Sequence, residues 1–384
     1  MAISPALISP ALISPVLIKA GVAAGAALGA YTALRRYPPA GEQTWARTNH
    51  RGEPVTLLEG PALTVGAVTA QLITAAVAAP PGRRPAAQGY PERGRPFADP
   101  LAIAGLGGLA FGVIDDLRGS GKRRGLRGHL GALAHGEVTT GTVKLAGLAA
   151  AGLGAALVEG GRPADIAINA GLIAGAANLL NLFDLRPGRA IKVATLAAGL
   201  IAGGSALTGG TASPEADKNV PGTHPAAGAA GRLTGLRAVA APAGAALILL
   251  PEDLGERAML GDAGANALGA MLGVAVAQAL PRSARLGVLT GIAALTVASE
   301  KVSFTRVIEA TPPLRWLDLL GRRPVALAAP VPAGPASAGP ASAGPASAGL
   351  ASTGEPVALT RTERLAWWAR GRRPGRHRRV KAVS

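Results

Sequence analysis

The chain has 384 residues, with 54 Gly, 31 Pro, no Cys, 49% hydrophobic and 3% aromatic residues. Charged residues make up 16% of it, against about 25% in ordinary soluble domains, and the formal net charge is +17. Without cysteine, a disulfide scaffold, a thiolate metal site and a cysteine nucleophile are all excluded. So little charge cannot clothe a soluble protein of this length. The apolar residues run in long blocks of Ala, Leu, Gly, Val and Ile, several reaching the roughly 20 residues a helix needs to cross a bilayer. The expectation is an all-α polytopic integral membrane protein. The excess Lys and Arg sit in short loops and a C-terminal tail, where they set topology and attract anionic lipid. No aromatic–basic interleaving of the kind that stacks bases occurs, so no nucleic-acid partner is expected.

Residues 1–15 contain the five-residue repeat ISPAL, whose prolines interrupt a continuous helix. No basic segment precedes it and no A-x-A site follows, so a cleaved signal peptide is not expected. About nine spans follow, near residues 16–34, 56–79, 98–114, 138–158, 164–182, 190–208, 233–250, 263–280 and 285–299. The loop between the first two carries RTNHRGEP, and arginines and prolines fill residues 80–96. The Lys/Arg count favours an outside N-terminus, with loops 35–55, 115–137, 183–189, 251–262 and the chain after 300 cytoplasmic. Arg83, Arg84, Arg93 and Arg95 run against that assignment. The membrane domain is expected to cover 16–322, and a disordered Pro/Ala/Gly/Ser linker 323–360. The tail 361–384 joins a Trp pair to an Arg cluster; it is either an anchor on anionic membrane lipids or a solvated basic segment.

In so apolar a chain, carboxylates at span ends are the informative residues. Asp115 and Asp116 end the third span, Asn178, Asn181 and Asp184 the fifth, and Asp262 starts the eighth between Gly261 and Gly264. All fall on the expected cytoplasmic side, although only Lys and Arg were used to orient the chain. Each alone reads equally as a solvated helix end, and the asparagines as links between helices. Together they suit Mg²⁺ with phosphate ligands, because that ion takes one or two carboxylates and lets phosphates and water complete its shell. GLGGLA at 105–110 lies inside a span with no strand before it, and GSGK at 119–122 lacks the flanking residues of a P-loop.

The order G-x-x-D-D, N-x-x-N-x-x-D, G-D-x-G over residues 15–320 resembles the polyprenyl-phosphate N-acetylhexosamine-1-phosphate transferases. RTNHRGEPVTLLEG looks like that family's substrate loop, and RGHLGAL with TTGTVKL like its basic segment before the fourth span. The resemblance implies transfer of a sugar-1-phosphate from a UDP-sugar to a polyprenyl phosphate, releasing UMP, with Mg²⁺ as cofactor, in the cell membrane. It further implies that Asp115, Asp116 and Asp184 are catalytic, with Asp116 and Asp184 on the metal. Asn178, Asn181, Asp262, Lys122, Arg127 and Arg189 would face substrate. The oligomeric state is left open, a homodimer among the options. The chain departs from the family at Leu185 and Pro187, where the family's second motif has Gly and a second Asp, and at Ala265, where it has Ser. Its histidine cluster is also missing from the last cytoplasmic loop. The competing expectation is therefore a catalytically degenerate member that acts as a membrane scaffold or lipid-binding partner in envelope assembly.

Overall fold

The computed structural model describes residues 10–78, 99–118, 131, 135–136, 138–208 and 224–324. Lys122, Arg127, the arginine-rich stretch at 80–96 and the linker and tail beyond 324 lie outside the described residues. The elements in chain order are α1 (Pro10–Arg36), α2 (Glu42–Trp45), β1 (Ala46–Thr48), β2 (Pro54–Thr56), α3 (Glu59–Ala78), α4 (Pro100–Arg118) and α5 (Thr140–Glu159). They continue with α6 (Pro163–Phe183), α7 (Arg189–Thr208), α8 (His224–Leu254), α9 (Gly261–Ala279), α10 (Arg282–Ser299), α11 (Phe304–Ala310) and α12 (Pro312–Leu319).

Among the described residues, seven helices are long and apolar enough to cross a membrane, or eight if the pair α10 and α11, bent by 94°, counts as one span. The all-α polytopic architecture is thus present. The count differs from nine at two places: the expected span 285–299 qualifies only when α10 is joined to α11, and the expected span 263–280 does not qualify. The latter exists as α9 but is not among those candidates, its sequence carrying Asp262, Asn266 and Gln278, and nearly every residue is buried by neighbouring helices. Small residues permit that position: the backbone of α6 passes within contact of Gly269 and Gly273, and that of α4 within contact of Ala263 and Ala267. A second difference is at the start. Helix α1 begins at Pro10 and runs through Pro15, so the prolines of the repeat do not exclude helix there.

By internal contacts the described residues divide into two units, one of residues up to 47 with those between 55 and 322, the other of residues 48–54 with 323–324. In the first unit α9 is central. It packs chiefly on α4 and α6; α1 packs on α3 and α8, α7 on α8, and α5 on α4 and α6. Local signals set several helix ends: Thr139 Oγ1 accepts from Thr142 N at 3.1 Å to cap α5, and Pro163 opens α6. In the second unit, Asn49 Oδ1 accepts from the amides of Arg51 and Glu53 at 2.8 and 2.9 Å, and Arg323 holds Glu53 at 2.6 and 3.2 Å.

Candidate functional site

The three acidic motifs meet at one end of the bundle. Asp115 and Asp116 sit in the last turn of α4, inside the helix rather than beyond it. Lys144, in the second turn of α5, donates from Nζ to Asp115 Oδ2 at 3.0 Å and to Asp262 Oδ2 at 2.5 Å. One ammonium therefore joins the first and third motifs. Its side chain is only 10% exposed, so screening by water is weak and the pair of contacts is tight. Lys144 was not singled out from the sequence; a lone Lys in an apolar block was the available signal.

Asp116 has a different partner. Its Oδ1 accepts from the Asp262 amide at 3.1 Å and its Oδ2 from the Ala263 amide at 2.9 Å. Asp184, which ends α6, accepts from the amide of Gly261. The first amides of a helix have no intrahelical acceptor and carry the positive end of its dipole. Here α9 receives its N-terminal caps from two other helices, and both caps are motif carboxylates. Gly261 makes this approach feasible. Its φ is +63°, and a Cβ there would lie 2.9 Å from Asp116 Oδ2.

The remaining site residues follow the same geometry. Burial pushes the Asp184 carboxyl well above the usual carboxylate range, and the charges of Asp253, Asp262 and Asp116 add to that. Glu59, at the start of α3, is wholly buried, and its carboxyl has no hydrogen-bond partner among the described residues; its charged neighbours are Asp253, Asp184 and Glu252. Asp253, in the last turn of α8, is also buried and accepts from the Gly188 amide. Glu59 was missed in the sequence because it is a single acid at the edge of an apolar block, and Asp253 because it sits in the acidic stretch PEDLGE that reads as a solvated loop. Asn178 and Asn181 are half-buried on the last two turns of α6, and neither side chain makes a hydrogen bond among the described residues.

Arg47 also reaches the site. It donates to the backbone oxygen of Asp116, and to the carbonyls of Thr44 at 3.2 Å and Ala46 at 2.7 Å. Strand β2 is pinned beside the same motifs, because Thr56 pairs in parallel with Ala258 and accepts from the Met259 amide at 3.0 Å.

Arg189 departs from its expected place. It is 3% exposed, and its guanidinium grips Asp318 at 2.7 and 3.1 Å and Thr305 Oγ1 at 2.9 Å. Its neighbour Arg186 lies 3.7 Å from Glu309. Asp318 thus holds the arginine expected to face substrate, and Glu309 lies beside its neighbour.

Among the described residues no three His, Asp or Glu side chains converge as a ready-made metal cage. Asp116 and Asp184 are engaged by backbone amides. Asp115 and Asp262 share Lys144 and hydrogen-bond each other, so a cation bridging them to a phosphate would have to compete with that ammonium. No protein-family profile matches the chain, and no curated protein matches it either.

Proposed function

We propose that this protein transfers a sugar-1-phosphate from a UDP-sugar to a polyprenyl phosphate at the cytoplasmic face of the cell membrane, starting a lipid-linked envelope glycan. The observation that carries the reading is the Lys144 bridge from Asp115 to Asp262, which gathers residues of three helices into one polar site at the end of an apolar bundle.

A lipid phosphate oxygen attacks the β-phosphorus of the UDP-sugar, the bond from that phosphorus to the bridging oxygen breaks, and UMP leaves with that oxygen. Such a transfer needs in-line positioning and spread of charge more than covalent help from the protein. Mg²⁺, implied by the resemblance, supplies that charge neutralisation when bound. Asp115 and Asp262 are the residues to hold it, with Lys144 balancing their charge. Asp116 and Asp184 fix the α9 N-terminus from which Asp262 projects. Among the described residues, Arg47 is a cation beside Asp116 that could meet a phosphate by giving up part of its contact with backbone carbonyls.

A second reading has its own support. Asp116 and Asp184 serve as helix caps, and Arg186 and Arg189 are turned to acids of the same chain, so part of the motif set has a structural use. A catalytically silent scaffold would need no more. Purified protein, polyprenyl phosphate, Mg²⁺ and a panel of labelled UDP-sugars decide between them. Release of UMP that disappears in Asp115→Asn supports the transferase. No UMP from any sugar, with the folded protein still retaining the lipid phosphate, supports the scaffold. Reporter fusions after residues 60, 120 and 320 test the orientation, and an external signal at 120 would reverse it.

A further inference from the structure

We propose that α11 and α12 form a membrane-surface element, seated through Trp316, Leu319 and Leu320 in the headgroup region of the leaflet at the motif end and held by Lys301, Arg306 and Arg315 against anionic lipid. The inference rests on the fold and goes beyond the transferase reading.

The first argument is direction. Helices α10 and α11 are long and apolar enough to cross a membrane only as a pair, and the two meet at 94° across residues 300–303, so with α10 as the crossing arm α11 is turned toward the bilayer plane. A helix that leaves a span near a right angle runs along the bilayer surface rather than away from it. The second is chemistry. Trp316 is 67% exposed, Leu319 48% and Leu320 51%. At spacings of three and four residues they share one face of the chain. Leu317 and Asp318 turn inward instead, and Asp318 is buried. An apolar stripe with a Trp, flanked by cations, is the composition of an interfacial helix.

Charge identifies the leaflet. The acids of this segment are matched within the chain: Glu309 by Arg186, and Asp318 by Arg189 and by Arg322 at 2.8 Å. Lys301, Arg306 and Arg315 are exposed and make no ion pair among the described residues. Unmatched cations beside an exposed apolar stripe fit anionic headgroups. The element is also rigidly placed. Phe183 stacks on Phe304 with centroids 4.9 Å apart, and Lys192 donates to the carbonyls of Leu317 and Asp318 at 3.1 and 2.7 Å. The exposed stripe is thus presented in a fixed orientation.

The chain has no cysteine, so one introduced thiol is the sole labelling site. Full-length Trp316→Cys and Leu319→Cys, each carrying a nitroxide, are reconstituted in phosphatidylcholine vesicles with and without phosphatidylglycerol. Collision with dissolved oxygen and with an aqueous nickel chelate then reports depth. With phosphatidylglycerol, both labels should be oxygen-accessible and shielded from nickel. The oxygen-to-nickel ratio should fall several-fold without that lipid, or on adding Arg306→Glu and Arg315→Glu. Free nickel access in both vesicle types would mean a solvated face and overturn the proposal. Shielding from both reagents would mean a covering protein or second copy, and would also overturn it. Equal immersion in both vesicle types would overturn the anionic-lipid assignment.

Discussion

Asp116 of α4 caps α9 in trans: its Oδ2 lies 2.9 Å from the Ala263 amide and its Oδ1 3.1 Å from that of Asp262. A residue read from the sequence as a catalytic acid therefore also determines where the third motif begins. Loss of its charge should affect both stability and chemistry. Asp116→Ala leaves two buried amides without an acceptor and should cost about 1–3 kcal/mol. Asp116→Asn retains one acceptor and should cost less, yet still lose UMP release by about a hundredfold or more. Thermal unfolding in detergent beside turnover separates the two effects. A fully active Asn variant would leave Asp116 with the structural role alone.

Lys144 bridges two carboxylates that also touch each other, and its removal leaves that pair without its cation. Lys144→Met should both abolish transfer and destabilise the bundle, since breaking a buried ion pair from one side costs about 3–5 kcal/mol. Adding Asp115→Asn to Lys144→Met should restore part of the lost stability but none of the activity. A double-mutant cycle on melting temperature checks this. Additive losses would show that Lys144 and Asp115 do not interact.

Asp184 gives a pH dependence. Burial, reinforced by Asp253, Asp262 and Asp116, raises its carboxyl above the usual range. Its folded pKa exceeds the unfolded one, so its contribution to stability is complete below the ordinary carboxylate range and is lost as pH rises through the raised value. Asp184→Asn removes that loss while its amide oxygen can still accept from Gly261. The variant should melt close to wild type in acid and increasingly above it toward alkaline pH. An advantage that does not grow with pH would show that the wild-type anion is well accommodated.

Arg189 separates a structural arginine from a substrate one. Its buried contact with Asp318 predicts that Arg189→Ala costs about 3–5 kcal/mol. The paired replacement Arg189→Met with Asp318→Leu should recover most of that, and its apparent KM for the UDP-sugar should stay near wild type. Were Arg189 a diphosphate ligand, KM would rise in the double variant however stable it became.

The sequence by itself determined the membrane character. Blocks of apolar residues near bilayer length admit few alternatives, and most expected span ends fall within a few residues of the helices observed. It also marked Asp115, Asp116, Asp184 and Asp262, because carboxylates in an apolar chain are costly and therefore conspicuous. Partnership was not legible there. Whether a carboxylate faces Lys144 or a helix N-terminus depends on which helices adjoin, and the pairs here are separated by up to 147 positions in the chain. Glu59 and Asp253 were overlooked for the same reason, since the groups that surround each come from other elements of the chain. The ion pair of Arg189 with Asp318 was not legible either, because the two lie 129 residues apart. Helix α9 shows the limit in reverse. It reads from the sequence as one span among nine, but tertiary packing makes it the centre of the bundle, because only small side chains let backbones of neighbouring helices come so close. Local chemistry fixed what each helix is; long-range packing decided which charges meet.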